Sequence, residues 1–581
     1  MSRRLRAGAL TPRVGGPWAL ALGLVGALGC GGPSGTSSAA EPSAAARAEA
    51  PGASGGGGAA EGAGPLLGGP SGVADEELVA GASLLGPEPR SSAGARSAGA
   101  PTASAVASGG PAAGPAGPEP EASEARAEPA AALPPIETLR YRARLDLTRG
   151  PLYLTGSFDG SQRFGMWSET LAFARRLRAA YGKPVHFTYF VNSCYYDPHV
   201  RGSQIGRAES AEEVLVRRAL TQQALNEGHE IGNHSVRHRD GSRFSEAEWR
   251  AEIAEFDAVM QAQLFVPVPN AAGEPGFVFP RFAPLEGAAP GATGATCAVD
   301  ADCASHRCLP LTPEAAFCTE PCNSRRPCPA GTVCGTPAFR DDTDACVPVP
   351  RYPVVHRGIE MFDARGVPNP AHPDLVRYAM KGFRAPNLGY NDALLRVLGE
   401  RHYRYDASQV YEPGLPLLMI PPGRDRPILG FGLSAYPGTP IMPMDFNYYR
   451  AGRDGARMQA DYESNILQAY PTRTPWAIGH HFATWRAGEY WRAMQHALEL
   501  AARGCPDASE GGGGGPRCPD VELVSYAELY ARLRAVARAA REAKMAAASA
   551  SASSAGAPPA PSASAPPAPA PAAPPASSPG G

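Results

Sequence analysis

Segments typical of strands alternate with segments typical of helices along the middle of this chain. A first alternating stretch covers residues 140–265, and a second begins at residue 381 and continues to residue 502. Apolar, β-prone runs such as 185–191 are followed by helical patterns such as 209–227. Strands that alternate with helices at this spacing are typical of parallel β/α units. The sequence therefore predicts an α/β domain.

The individual segments follow from periodicity and from glycine and proline breaks. The predicted strands lie in 140–159 as two short runs and at 185–191, 381–384, 403–406 and 476–481. The predicted helices lie at 166–181, 209–227, 246–265, 391–400 and 491–502. The segment 411–449 is rich in Pro and Gly, and its structure stays open at this point.

Composition confines the folded part to about four hundred of the 581 residues. Residues 31–134 consist mainly of Ala, Gly, Pro, Ser and Glu, so they cannot bury enough apolar surface to offset the entropy of ordering. Residues 546–581 repeat Ala, Pro and Ser, which is typical of an extended, disordered tail. We therefore expect a disordered tether, a domain over 135–545 and a disordered tail. The net charge of −2 argues against a nucleic-acid partner.

The N-terminus has the pattern of an export signal. Its apolar stretch 18–29 ends at Cys30 and follows a basic start formed by Arg3, Arg4, Arg6 and Arg13. The stretch is too short for a mature membrane-spanning helix, and the cysteine resembles a bacterial lipoprotein box. We expect a signal peptide over 1–30 and a lipid anchor at Cys30, hence a location in the cell envelope. Cleavage elsewhere, followed by simple secretion, is the alternative because Ala27 stands where such boxes usually have Leu.

Eight of the twelve cysteines lie between Cys297 and Cys346. An even, dense cluster among Gly, Pro, Asp and Thr predicts a disulfide-stapled insertion over 290–350 in an oxidising compartment. Zinc binding by the cluster is the rival interpretation, although no Cys-x-x-Cys pair is present. Cys505 and Cys518 flank a glycine run and are predicted to close a loop through a disulfide. Cys194 then has no predicted disulfide partner and is expected to be buried or a free thiol.

His234 and His238 are candidate metal ligands. Two histidines four residues apart share one face of a helix, so both can point at one metal ion if the segment is helical. Asp159 ends an apolar, β-prone run and is the candidate for a third ligand. An isolated His-x-x-x-His pair is more often a surface or core accident, so the interpretation depends on the surrounding sequence.

The surrounding motifs resemble the polysaccharide deacetylase (NodB homology) family. Four motifs occur in the family order, at 157–160, 228–238, 383–386 and 478–482, and the resemblance covers roughly residues 140–540 with one insertion. It implies a distorted (β/α)₇ barrel with its site at the carboxyl ends of the strands. It also implies a metal-dependent hydrolase that removes N-acetyl or O-acetyl groups from a cell-envelope or extracellular polysaccharide, with Zn²⁺ as the expected divalent metal.

The resemblance implies a role for each motif. Asp159, His234 and His238 correspond to the metal site, and a metal there lowers the pKa of bound water and polarises a carbonyl group. Arg384 matches the arginine that orients the catalytic aspartate. His481 matches the general acid that protonates the departing amine. His480 and His481 are adjacent strand residues that point to opposite faces, so only one of them can enter the site. We favour His481 because Phe482 and Trp485 follow it in the same order as in the resembled family branch.

One departure from the family pattern affects the activity. The family signature is Phe-Asp-Asp-Gly, whereas this chain has Phe-Asp-Gly with Asp159 as its single carboxylate. If Asp159 is the base, His234 and His238 hold the metal with water or a distant carboxylate. If Asp159 is the ligand, another group such as Asp406 or Asp445 takes the proton. A non-catalytic glycan-binding or scaffold lipoprotein on the same barrel is therefore the alternative function.

Aromatic side chains are the candidates for holding a sugar. We expect Trp485 and Tyr448, or its neighbour Tyr449, to stack on the rings of an N-acetylated polysaccharide. Chitin-like, peptidoglycan and exopolysaccharide chains all fit this interpretation.

Overall fold

The structure, a computed structural model, describes residues 138–205, 209–269, 275–276, 280–335, 343–422, 427–505 and 517–555. The predicted signal peptide, Cys30, the tether over 31–134 and the tail beyond residue 555 lie outside the described residues. Within the described ranges, no helix is both long and apolar enough to cross a membrane.

Strands and helices are numbered here in chain order. The strands are β1 (Leu139–Arg142), β2 (Leu152–Asp159), β3 (Thr188–Val191), β4 (Glu230–Asn233), β5 (Val268–Pro269), β6 (Pro275–Gly276), β7 (Cys308–Thr312), β8 (Ala315–Cys318), β9 (Thr332–Gly335), β10 (Ala345–Pro348), β11 (Val354–His356), β12 (Ile359–Phe362), β13 (Gly382–Phe383), β14 (Tyr405–Gln409), β15 (Leu417–Ile420), β16 (Ile428–Gly432), β17 (Trp476–His481) and β18 (Val521–Leu523). The helices are α1 (Phe164–Tyr181), α2 (Ala211–Asn226), α3 (Glu246–Gln261), α4 (Asp392–Glu400), α5 (Asp445–Arg450), α6 (Gly455–Ala469), α7 (Trp485–Ala502) and α8 (Tyr526–Ala555).

The central sheet has ten strands in the order β1-β15-β16-β14-β13-β4-β3-β2-β17, with β18 paired to β2. From β16 to β17 the seven neighbouring strands are all parallel, while β15 pairs antiparallel with β16 and with β1. The α/β class is therefore confirmed, and the run of seven parallel strands is consistent with the expected (β/α)₇ barrel. Among the described strands, no pairing joins β17 to β1 and closes the sheet.

Local sequence explains several of these elements. All eight residues of β2 are buried, as expected for a parallel strand covered on both faces. The helices α2 and α3 each begin with a capping box, in which Ser210 pairs with Glu213 and Ser245 with Glu248. These reciprocal bonds satisfy backbone donors that the first helical turn leaves free.

The C-terminal part contains elements that the sequence analysis did not predict. The open segment 411–449 contains β15, β16 and part of the short helix α5, and β18 and α8 follow the cysteine loop. Helix α8 continues to Ala555, so it includes the first ten residues, 546–555, of the predicted disordered tail. Alanine has the highest helix propensity, so an Ala-rich stretch extends a helix that is already nucleated.

The cysteine cluster forms a disulfide module, as predicted. Its bridges are Cys297–Cys308, Cys303–Cys318, Cys322–Cys334 and Cys328–Cys346. The zinc interpretation is wrong for these residues, because disulfide sulfurs are not available as thiolate ligands. Cys505 pairs with Cys518, and Cys194 is buried outside any disulfide. Leu311, Phe317 and Val347 join the module to the main hydrophobic core.

Candidate active site

Four predicted site residues lie at the carboxyl ends of four parallel strands. Asp159 ends β2, and His481 ends β17 directly beside it, with the two residues in register. His234 follows β4, and Arg384 follows β13. Carboxyl ends of parallel strands share one edge of the sheet, so residues far apart in sequence meet there.

Asp159 and Arg384 form a buried ion pair. The guanidinium Nη1 donates to Asp159 Oδ1 at 2.8 Å, and both side chains are almost fully buried. Burial raises the pKa of Asp159, but the opposing effects of its surroundings, led by the positive charge of Arg384, outweigh burial, so the pKa lies below its usual value. The carboxylate is therefore charged at neutral pH.

The tautomer of His234 follows from its hydrogen bond. Its Nδ1 lies 2.8 Å from the carbonyl oxygen of Arg384, and a carbonyl only accepts, so Nδ1 carries the hydrogen. The other nitrogen, Nε2, is buried without a hydrogen-bond partner and lies 4.0 Å from Asp159 Oδ2. Burial lowers the pKa of His234 and keeps the ring neutral. An unpartnered imidazole lone pair beside a carboxylate fits a bound cation.

His238 reaches the site from a loop. The segment from His234 to His238 is not helical, so the shared helix face considered from the spacing does not apply. Strand β4 ends at Asn233, and the chain then turns through left-handed conformations at Ser235 (φ 64°) and His238 (φ 55°). The turn nevertheless brings the two imidazole rings to 5.0 Å between centroids. Burial lowers the pKa of His238 well below its usual value, so this ring is neutral as well.

The three predicted metal ligands do not form a tight triad. Asp159 and His234 approach each other, but the ligand atoms of Asp159, His234 and His238 do not all lie within 4.8 Å of one another. Over the described ranges, only disulfide-bonded cysteines meet that spacing. The site therefore contains a His–Asp pair with a second histidine beside it.

His481 is paired with Asp445 at the start of α5. Its Nδ1 lies 2.7 Å from Asp445 Oδ1, and its backbone N–H donates to Asp445 Oδ2 at 2.9 Å. Burial lowers the pKa of His481, but the Asp445 carboxylate outweighs burial and raises it. His480 instead contacts Tyr462 Oη through Nε2 at 3.1 Å, and burial lowers its pKa to about 4. His481 is thus the histidine that can carry a proton beside Asp159.

The two alternative bases are engaged elsewhere. Asp445 is hydrogen-bonded to His481 through both of its carboxylate oxygens. Asp406 is fully buried and accepts hydrogen bonds from Ser408 Oγ and Gln409 Nε2, each at 2.6 Å. Burial raises the pKa of Asp406 to about 6. Ser408 also accepts from the backbone N–H of Ala385, so this network supports the loop that carries Arg384.

The prediction that Tyr448 binds substrate is wrong. Its side chain is fully buried, and its hydroxyl donates to Asp461 at 2.9 Å, because this side of α5 faces the core. The neighbouring Tyr449 points outward with 44% of its surface exposed and stacks on Trp485, with ring centroids 5.7 Å apart. Trp485 also lies 5.1 Å from the His481 ring. An aromatic surface of Trp485 and Tyr449 therefore borders the site.

Tyr526, at the start of α8, contacts the site and was not predicted from the sequence. Its hydroxyl accepts a hydrogen bond from Arg384 Nη2 at 3.2 Å. A signal for this helix is present, since Ser525 and Glu528 have capping-box spacing and exchange hydrogen bonds. The sequence alone does not indicate that the helix start docks against Arg384, which lies more than a hundred residues earlier in the chain.

Residues 176–269 match the family model described as polysaccharide deacetylase. The match confirms the resemblance over a segment that contains His234 and His238, while Asp159, Arg384 and His481 lie outside it. No curated protein matches the chain in sequence.

Three solved structures illustrate the likeness. The chitin deacetylase from the fungal pathogen Colletotrichum lindemuthianum is 8% identical, with a TM-score of 0.28 over 65% of this chain and 88% of that one. A family 4 carbohydrate esterase from Streptomyces lividans is 10% identical, with a TM-score of 0.24 over 60% of this chain and 88% of that one. A CE4 family pseudoenzyme from Bacillus anthracis is 7% identical, with a TM-score of 0.28 over 67% of this chain and 68% of that one.

Proposed function

We propose that this polysaccharide deacetylase-like chain is a metal-dependent hydrolase that removes acetyl groups from a cell-envelope or extracellular polysaccharide. One observation carries the proposal: the Asp159 carboxylate is held by Arg384 on one oxygen and faces the unpartnered His234 Nε2 with the other. A structural ion pair does not require a free imidazole lone pair beside it, whereas a hydrolytic metal site does.

Asp159 is the proposed general base. Arg384 occupies Oδ1 and lowers the carboxylate's pKa, while Oδ2 faces His234. A carboxylate fixed in this way can accept a proton from a water molecule held between it and the substrate. The salt bridge sets the orientation, since the planar guanidinium holds its partner in one direction.

His234 and His238 would hold the cation through neutral imidazole nitrogens, which leaves the Asp159 carboxylate available as the base. When bound, a divalent metal such as Zn²⁺ lowers the pKa of water and polarises the acetyl carbonyl. The hydrogen bond from His234 Nδ1 to the Arg384 carbonyl directs Nε2 at the site, a second-layer contact typical of metal-binding histidines.

His481 is the proposed general acid. Asp445 holds Nδ1 and raises the ring's pKa, so Nε2 carries the proton that the leaving amine or alcohol requires. The same arrangement serves N-acetyl and O-acetyl groups, because both leave as a group that needs a proton. Trp485 and Tyr449 would stack on the sugar next to His481.

A glycan-binding role without catalysis is the second candidate. The single carboxylate and the wide spacing of Asp159, His234 and His238 favour it. In that case the aromatic surface of Trp485 and Tyr449 would bind sugar, and the buried ion pair of Asp159 with Arg384 would be structural.

We also propose that the chain acts outside the cytoplasm, anchored through a lipid on Cys30. Five disulfides support an oxidising compartment. Fractionation of cells that express the wild type or Cys30→Ala tests the anchor. We expect the wild type in the membrane fraction and the variant in the soluble fraction.

Acetate release tests the proposed function. Purified protein reconstituted with Zn²⁺ is incubated with acetylated chitooligosaccharides, acetylated xylan and peptidoglycan, and acetate is measured. The proposal expects release from at least one glycan and its loss in Asp159→Asn. Glycan binding without any acetate release would favour the second candidate.

A further inference from the structure

The orientation of Arg384 depends on three contacts of its guanidinium. Nη1 donates to Asp159 at 2.8 Å, Nε to the carbonyl of Ala407 at 3.2 Å, and Nη2 to the hydroxyl of Tyr526 at 3.2 Å. The group also lies over the Phe190 ring, 4.4 Å from its centroid. Because a guanidinium is planar and rigid, holding Nε and Nη2 determines where Nη1 points.

Tyr526 is itself fixed by its surroundings. Its ring packs against Phe431 and Tyr405, with centroids 5.2 and 5.6 Å away, and is almost fully buried. Its backbone N–H donates to Thr188 Oγ1 at 2.9 Å. The next backbone N–H, of Ala527, donates to Glu230 Oε2 at 2.8 Å. The first turn of α8 is therefore attached to β3 and β4, which places the hydroxyl at a defined position beneath the site.

We propose that Tyr526 is a positioning residue for the general base. It does not touch the substrate, but its hydroxyl holds Arg384 so that Nη1 meets Asp159 Oδ1. The effect on turnover rests on the proposed function, whereas the effect on the geometry of Arg384 does not. The C-terminal helix thereby becomes part of the site, although it lies outside the four motifs of the sequence.

Tyr526→Phe isolates this role. The substitution keeps the ring and its packing and removes only the oxygen, which leaves Arg384 Nη2 buried without a partner. We expect the guanidinium to turn away from Asp159. On the deacetylation substrate, kcat should fall by about 10-fold to 100-fold, the range seen when an outer orienting partner is removed. KM should stay within about twofold, because Tyr526 does not contact the sugar.

Tyr189→Phe is the matched control. Tyr189 is also fully buried, and its hydroxyl donates to Thr170 Oγ1 at 2.8 Å, away from Arg384. The control removes the same atom from the same kind of environment. We expect both kcat and KM of Tyr189→Phe to remain close to the wild-type values, because Thr170 Oγ1 keeps the hydrogen bond that it donates to the carbonyl of Met166.

A crystal structure of Tyr526→Phe provides a readout that is independent of turnover. The inference expects the distance between Arg384 Nη1 and Asp159 Oδ1 to lengthen beyond hydrogen-bond range, or the guanidinium to adopt two orientations. If the wild type releases no acetate, the proposed function fails, and this distance alone decides the positioning role. An unchanged ion pair in the variant would overturn the inference, as would a loss of kcat that Tyr189→Phe shares.

Discussion

Arg384 donates through Nη1 to Asp159 Oδ1 at 2.8 Å while its own carbonyl oxygen accepts from His234 Nδ1, also at 2.8 Å. A single residue after β13 thus orients both the carboxylate that we propose as the base and an imidazole that we propose as a metal ligand. The side chain sets the direction of Asp159, and the main chain sets the tautomer of His234. This double contact explains why Nε2 of His234 is left as a free acceptor facing Oδ2.

Metal affinity depends on His234 in this account. We predict that the protein binds about one Zn²⁺ per chain and that His234→Ala weakens binding at least about tenfold, because an imidazole ligand is lost. His496→Ala removes a half-exposed histidine outside the site and should leave affinity unchanged. Isothermal titration calorimetry on metal-free protein measures both. Equal affinities for the two variants would remove His234 from the metal site.

The pH dependence of turnover reports on His481. Its pKa is raised by Asp445, and a general acid must be protonated, so the rate should fall as pH rises through that raised pKa. Asp445→Asn removes the negative charge, lowers the pKa of His481 and should move the basic limb to lower pH. A shift of about one unit or more is expected for an ion pair at this distance. A pH–rate profile with the same basic limb in both proteins would assign the acid elsewhere.

Gly160 occupies the position of the second aspartate of the Phe-Asp-Asp-Gly signature, so a substitution there can add a second carboxylate to the site. Its φ of 88° is left-handed, which aspartate tolerates better than most residues, and a Cβ there would meet nothing closer than Phe482 at 3.8 Å. We predict that Gly160→Asp tightens Zn²⁺ binding by about tenfold or more, because a negatively charged oxygen ligand is added. Gly160→Asn occupies the same space without the charge and should bind Zn²⁺ more weakly than Gly160→Asp. Identical affinities of these two variants would contradict the assignment.

Substitution of Trp485 tests whether the aromatic surface of Trp485 and Tyr449 binds the sugar. We predict that Trp485→Ala raises KM for a glycan several-fold with little change in kcat, because stacking on the sugar contributes about 1 kcal/mol and does not involve the reacting bond. Tyr448→Phe removes the buried hydroxyl that pairs with Asp461, so it should lower the melting temperature and leave KM unchanged. Steady-state kinetics on an acetylated oligosaccharide separate the two. A change of KM in Tyr448→Phe but not in Trp485→Ala would show that Tyr448, and not Trp485, contacts the sugar.

The sequence predicted the parts of the fold that depend on local patterns. Strand β17 has the predicted bounds, and α1, α2 and α4 agree within two residues, because apolar periodicity and caps act within one element. Both the cysteine module and the Cys505–Cys518 loop follow from spacing and composition. The secondary structure of the segment 411–449 could not be predicted from the sequence, since its strands depend on pairing with distant partners.

The sequence indicated which residues form the candidate site, but it gave less information about how they are arranged. Asp159, Arg384 and His481 were identified by motif, but the partner of His481 depends on how α5 packs against β17. The spacing of His234 and His238 would bring them together on a helix, whereas the end of β4 and a left-handed turn determine how they approach each other. Tyr448 and Tyr449 are adjacent in sequence, and only tertiary packing decides which one faces solvent.

The most direct test of the central claim is acetate release by the Zn²⁺-reconstituted wild type and by Asp159→Asn, measured side by side on acetylated chitooligosaccharides, acetylated xylan and peptidoglycan. The account predicts acetate from at least one glycan and a rate at least about 100-fold lower in the variant, because Asn cannot accept the proton. Equal rates in the two proteins, or no acetate from the metal-loaded wild type, would contradict it.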